Sequence, residues 1–175
     1  AVATGVDLEP HPSEIVGLGE PRPGLVASLA KGALRVEDAR TAEVLRDFRD
    51  LPRVGGALAC AGQGGRIATL STQVGVAKPA PPDVLSLWDL EGGLAWRREL
   101  GESYEDVDIT PDGRWVAVGC SAGKILVLDG GTGAERCVLS QEHGVRDLAL
   151  HPGGGLLIAA ADGEQGQTLV WDLEA

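Results

Sequence analysis

Apolar and polar residues alternate along this chain in short runs, and four of the runs end on aspartate. They are Leu34-Arg35-Val36-Glu37-Asp38, Val84-Leu85-Ser86-Leu87-Trp88-Asp89, Ile125-Leu126-Val127-Leu128-Asp129 and Thr168-Leu169-Val170-Trp171-Asp172. A period of two turns alternate side chains to opposite faces of a strand, so each run predicts one strand closed by a turn. The aspartates are separated by 51, 40 and 43 residues. The longest interval holds a proline-rich stretch, residues 76–83, read as an insertion loop because proline lacks the N–H a central strand needs. Setting about ten residues aside for it restores a spacing near 40, the length of one repeating unit.

A second pattern precedes the first. Asp7-Leu8-Glu9-Pro10-His11-Pro12, Asp106-Val107-Asp108-Ile109-Thr110-Pro111 and Asp147-Leu148-Ala149-Leu150-His151-Pro152 align without gaps. Turns follow at Asp112-Gly113 and Gly153-Gly154-Gly155, and then strand-like runs at Trp115-Val116-Ala117-Val118 and Leu156-Leu157-Ile158-Ala159. In the second unit the matching turn is Gln63-Gly64-Gly65-Arg66, before Ile67-Ala68-Thr69-Leu70. Fourth strands are expected at Glu43–Phe48, Leu94–Arg98 and Glu135–Leu139. The pattern predicts an all-β fold of four antiparallel units over residues 1–50, 51–101, 102–141 and 142–175, the last without a fourth strand.

Leu87-Trp88-Asp89-Leu90, Val170-Trp171-Asp172-Leu173 and the turn Pro111-Asp112-Gly113-Arg114 resemble the repeat of WD-type β-propellers, a four-stranded blade of about 40–45 residues ending its third strand on Trp-Asp. The resemblance implies a divergent propeller of about four blades, with Asp38, Trp88, Asp89, Asp129, Trp171 and Asp172 at structural repeat positions. Leu128 and Glu37 stand where the family has Trp, Cys120 and Ala122 stand where it has Ser and Asp, and His143 is two residues out of place. The family's hydrogen-bonded networks are therefore incomplete, and sheet-on-sheet packing is expected to hold the fold.

WD-type propellers close by borrowing an outer strand from the N-terminal end of the domain. Four blades are few for a closed ring. A C-terminal part of a larger ring, a ring of two copies, or tight closure of four blades would each satisfy the bare ends. The resemblance further implies a non-catalytic scaffold or sensor module for protein–protein interaction. Contacts are expected where loops lead into each first strand, at Tyr104, Glu105 and Arg146, with Trp115 a further candidate. Glu91-Gly92-Gly93-Leu94-Ala95-Trp96 also resembles the ending of pyrroloquinoline-quinone-type blades, so the alternative is a ligand or enzymatic role in a central channel.

The 175 residues carry a net charge of −11. Nucleic-acid and anionic-membrane surfaces need clustered Lys and Arg, so a basic or neutral protein or peptide is the expected partner. Aromatic residues make up 3%, too few for stacking single-stranded bases. No apolar run reaches the roughly 18 residues of a membrane span. Three unpaired-looking cysteines, Cys60, Cys120 and Cys137, suit a reducing compartment, and a cytoplasmic location is expected. The absence of methionine suggests a processed chain or a piece of a longer one.

Candidate chemistry thins out under inspection. Gly119-Cys120-Ser121-Ala122-Gly123 has the spacing of a hydrolase nucleophile elbow, but a strand-like run follows where a helix is required, so a hairpin is expected. Asp106, Asp108 and Asp112 lack the rest of a calcium loop, since Thr110 and Pro111 occupy the positions of an acid and a glycine. These acids are expected on solvated strands and turns. His11 and His151 sit in equivalent, separated positions and are expected to support turns or face solvent. Cys120 and Cys137 read as small buried hydrophobes. No catalytic group, metal or cofactor is expected.

Overall fold

The computed structural model describes residues 15–30, 33–49, 51, 56–72, 82–161 and 166–174. Fifteen strands and no helix occur among them. The first sheet comprises β1 (Ile15–Gly19), β2 (Leu25–Ala30), β3 (Ala33–Asp38) and β4 (Val44–Arg49). The second comprises β5 (Gly56–Ala61), β6 (Arg66–Ser71), β7 (Asp83–Asp89) and β8 (Gly93–Leu100). The third holds β9 (Tyr104–Ile109), β10 (Trp115–Cys120), β11 (Lys124–Asp129) and β12 (Glu135–Ser140). The fourth holds β13 (Val145–Leu150), β14 (Leu156–Ala161) and β15 (Thr168–Asp172). Each sheet is an antiparallel meander in chain order. The chain is all-β, as its alternation predicts, and propeller-like in plan.

The repeated aspartate owes its place to local hydrogen bonding. Asp38 Oδ1 accepts the N–H groups of Arg40 and Thr41 at 2.8 and 2.9 Å, and Asp89 Oδ1 those of Glu91 and Gly92 at 2.8 and 3.2 Å. Asp129 does the same for Gly131 and Thr132 at 3.1 and 2.9 Å, and Asp172 for Glu174 at 2.8 Å. A carboxylate thus occupies the turn donors as each third strand ends. Those bonds hold the Asp38 carboxyl below its ordinary value, and Asp129 is lowered first by the Thr132 hydroxyl, which donates to it at 2.8 Å, and then by the N–H groups. The next residue extends the ladder in all four sheets. Ala39, Leu90, Gly130 and Leu173 donate their N–H to the carbonyls of Gly24, Gly65, Arg114 and Gly155 at 2.7–3.0 Å.

Successive sheets stack face to face, with β1 beside β5, β5 beside β9 and β9 beside β13. Leu34, Val36, Ile67 and Trp88 pack between the first and second sheets. Leu85, Leu87, Val116, Val118 and Leu128 fill the next interface, and Ile125, Val127, Leu148 and Leu157 the third. A fully buried aliphatic side chain contributes about 1.5–3 kcal/mol, so these three layers carry the fold. Gly119 marks a close approach between the third and fourth sheets: a Cβ there would lie 2.4 Å from Val145 Cγ1.

Polar clamps cross the same interfaces through the outer strands. Arg46 on β4 donates to the Leu90 carbonyl at 3.1 Å, Trp96 on β8 to that of Gly130 at 3.0 Å, and Arg136 on β12 to that of Leu173 at 2.7 Å. Each recipient is the residue following the turn aspartate of the next sheet.

Two expectations are corrected. The Asp7–Pro12 motif lies outside the described residues, and the inner strand of the first sheet is Ile15–Gly19, where Gly17 and Gly19 pair at the registers held by Asp106 and Asp108 in the third. Asp83, read as the end of the proline-rich insertion, begins β7 instead. It is buried, and its carboxylate accepts the Tyr104 N–H at 2.9 Å, which fixes it in the sheet. The rest of that insertion, to Pro81, lies outside the described residues.

Candidate protein-binding surfaces

Where the chain runs into the inner strands, the third and fourth sheets carry the same irregularity. On β9, Tyr104 pairs with Cys120 and Asp106 with Gly119, which leaves Glu105 in a bulge. On β13, Val145 pairs with Ala161 and Asp147 with Ala160, which puts Arg146 in the equivalent bulge. A bulge turns its extra residue out of the pleat, and both side chains are exposed. The two strands are tied edge to edge. Asp106 Oδ2 accepts the Leu148 N–H at 2.9 Å, and Asp108 Oδ2 the Leu150 N–H at 2.7 Å. A cationic and an anionic side chain therefore share one end of a cross-linked pair of strands.

The other two candidates do not join them. Tyr104 is 2% exposed and belongs to the core between the second and third sheets; burial pushes its phenol up to about 12. It packs rather than offering a docking contact. Trp115 begins β10, at the opposite end of the sheet from Tyr104, and is half-buried with Arg136 and Arg114 stacked at 4.1 and 4.8 Å from its ring. Its face is occupied by this chain's own guanidinium groups.

The acids Asp106 and Asp108 are more buried than a solvated strand position would make them. Desolvation pushes Asp106 up to about 6, and the neighbouring Asp147 carboxyl, hydrogen-bonded to it, adds to the rise. The N–H groups of Leu148 and Val107 pull the other way. Asp108 rises for the same first reason. They act as staples between inner strands. Asp112 instead caps its turn, accepting from Thr110 Oγ1 at 2.7 Å and Arg114 N–H at 2.9 Å. His151 Nδ1 accepts the Gly153 N–H at 3.1 Å and so supports a turn, while His11 lies outside the described residues. Residues 119–123 form a β10–β11 hairpin with Gly123 at a φ of 89°.

All three thiols are free. Cys120 is buried, Cys60 and Cys137 half-buried, and desolvation drives Cys60 up to about 12, far from a reactive thiolate. Thr69, which sequence reasoning passed over, accepts the Trp88 indole N–H at 2.9 Å in the core. Its signal was a polar residue inside the buried run Ile67–Leu70.

Among the described residues, no further sheet covers the outer face of the fourth. Leu156, Ile158 and Val170 are 39%, 43% and 60% exposed, although their counterparts Trp115, Ala117 and Val127 pack against the next sheet. Asp147, Leu148, Ala149, Ile158, Ala160 and Thr168 line a shallow groove across it. Among the described residues no helix is long and apolar enough to cross a membrane, and no cluster of three His, Cys, Asp or Glu is arranged to hold a metal ion.

No protein-family model and no curated protein matches the chain. Solved structures do. The computationally designed Ika4 protein is similar at 20% identity and a TM-score of 0.74, over 98% of this chain and 99% of that one. A chain of the Kuenenia stuttgartiensis hydrazine synthase is similar at the same identity and TM-score, over 99% of this chain and 49% of that one. At this identity the likeness shows the fold alone. The fold thus spans a whole chain of this size in one case and half of a longer chain in the other.

Proposed function

We propose that this chain is a non-catalytic protein-interaction module, a divergent WD-type β-propeller of four blades, the last of which shows three strands among the described residues. The turn aspartates Asp38, Asp89, Asp129 and Asp172, the Trp88–Thr69 hydrogen bond and the side-by-side inner strands support the propeller reading. The observation that carries the functional reading is the pair of equivalent bulges that hold Glu105 and Arg146 outward on stapled neighbouring strands. Rigid strands displaying charged side chains bind with little loss of conformational entropy. The charge of −11 favours a basic or neutral partner, and three free thiols suit a reducing compartment such as the cytoplasm.

The test is site-specific photo-crosslinking from positions 105 and 146 in the full protein inside its host cell. One discrete protein adduct is expected from both positions, lost on combined Glu105→Arg and Arg146→Glu exchange. Absence of any adduct at both positions overturns the reading.

A further inference from the structure

The end of the molecule that displays Glu105 and Arg146 holds two more ionisable groups, one beside each. Asp106 follows Glu105 on β9 and Asp147 follows Arg146 on β13. Their carboxyls are hydrogen-bonded to each other across the joint between the third and fourth sheets. Two carboxyl groups share a hydrogen bond only when one of them carries a proton. Asp106 Oδ2 also accepts the Leu148 N–H at 2.9 Å, so one side chain is both a staple and half of the acid pair. We propose that Asp106 and Asp147 form a proton-operated latch between the third and fourth sheets, closed while the pair holds a proton and loosened when it is lost. The latch sets how rigidly Glu105 and Arg146 are held relative to each other. That consequence deepens the interaction-module reading and rests on it; the latch itself does not.

The surroundings leave the pair an excess of negative charge. Asp108, two residues along β9, adds a third carboxyl and accepts the Leu150 N–H at 2.7 Å. Glu105 and Arg146 occupy the bulges of the same strands, so β9 and β13 carry four acids and one cation. β5, packed on the other side of β9, brings Cys60 as its one titratable side chain. β6 brings Arg66, whose guanidinium is committed to the Gly113 and Gly130 carbonyls at 3.2 and 3.3 Å. β10 brings Cys120, bonded to Glu102, and β14 sets Ala160 opposite Asp147. One cation does not neutralise four carboxylates, and a proton shared by the pair removes one of the four charges.

Linkage gives the direction. Burial is the larger reason that Asp106 rises from its ordinary 3.8 to about 6, and the Asp147 carboxyl adds to it. In an opened joint the carboxyl is hydrated and returns to its ordinary value. Opening therefore releases a proton. The closed joint has its full advantage below about pH 4 and loses it as pH rises through 6. Asp147 is exposed, so protons from solvent reach the pair.

Amide hydrogen exchange on the full chain, corrected for intrinsic rates, is the test. Protection of the Leu148 amide should fall about ten-fold between pH 5 and 7. The Tyr104 amide, held by Asp83 across the preceding joint, should stay within about two-fold. Asp147→Asn keeps a hydrogen-bonding partner but removes the second charge, and should shrink the fall at Leu148. A fall of unchanged size in that variant overturns the pair as its source, and an equal fall at Tyr104 overturns a local latch in favour of global unfolding. Spin labels introduced as noncanonical residues at positions 103 and 142, which lead into β9 and β13, leave all five charges in place. Their distance distribution should broaden from pH 5 to 7, and less so with Asp147→Asn; identical distributions overturn the effect on display. Failed crosslinking from positions 105 and 146 removes the interaction reading and leaves the latch, whereas a flat exchange profile removes the latch and leaves that surface.

Discussion

Trp88 donates its indole N–H to the Thr69 hydroxyl across 2.9 Å, joining the third and second strands of one sheet where both side chains are buried. Thr69→Val keeps the shape and removes the acceptor. Because the indole N–H would remain buried and unpaired, unfolding in urea should show a loss of about 1–3 kcal/mol with an unchanged denaturant slope. Thr69→Ser keeps the oxygen and should cost about 1 kcal/mol through the lost methyl. No loss in Thr69→Val would mean the bond contributes nothing.

Ala42 is the described non-glycine residue with a positive φ, 58°, four residues after Asp38. The equivalent positions after Asp89 and Asp129 are Gly93 and Gly133, at 82° and 71°. A left-handed conformation costs a side-chain-bearing residue about 1–2 kcal/mol. Glycine removes that strain but gives back about 0.5–1 kcal/mol of backbone entropy. Ala42→Gly should therefore stabilise the protein by about 0.5–1 kcal/mol, seen as a rise in Tm. A fall in Tm contradicts the strain argument.

Gly119→Ala tests how tightly the third and fourth sheets approach. Its Cβ would meet Val145 at 2.4 and 2.8 Å and Leu148 at 2.9 Å, so one strand must move. Overpacking of this kind costs about 1–3 kcal/mol. A compensating Val145→Ala change in the same chain should recover part of the loss, and calorimetric Tm values for the four combinations measure the coupling. Strict additivity would show that the contact is not tight.

Asp106 gives stability a pH dependence with a definite sign. Its folded value of about 6 lies above its ordinary 3.8, so between these values the folded protein holds a proton that the unfolded chain releases. That contribution favours folding below about pH 4 and is lost as pH rises through 6. Tm should fall between pH 5 and 7.5, all else equal. Asp106→Asn, which keeps an acceptor for the Leu148 N–H, should flatten the fall. Some slope should persist because Asp108 is shifted the same way. Parallel curves for the two proteins would place the titration elsewhere.

The third strands and their turns were legible because their cause is local: Asp38, Asp89, Asp129 and Asp172 bond to donors two or three residues ahead. The inner strand of the first sheet was not. Gly17 and Gly19 display no alternation, and what Gly19 answers to is distant, since a Cβ there would meet Cys60 Sγ at 2.6 Å and Leu58 Cδ2 at 2.8 Å. Proline neighbours drew Asp83 into a loop, while the Tyr104 N–H from the next sheet holds it in a strand. At the candidate surface, the loop position pointed to Glu105 and Arg146 but equally to Tyr104. Which of the adjoining Tyr104 and Glu105 faces outward depends on a bulge and a covering sheet, and neither leaves a mark in the residues themselves.

Ala39, Leu90, Gly130 and Leu173 make the same ladder bond with side chains that have little in common, because the bond uses main-chain atoms alone. Such a join makes no demand on what the codon at that position specifies. A duplicated segment inherits a working connection from its first generation, and each copy is then free to drift. Wide divergence between the four copies within this chain is what such a joint permits.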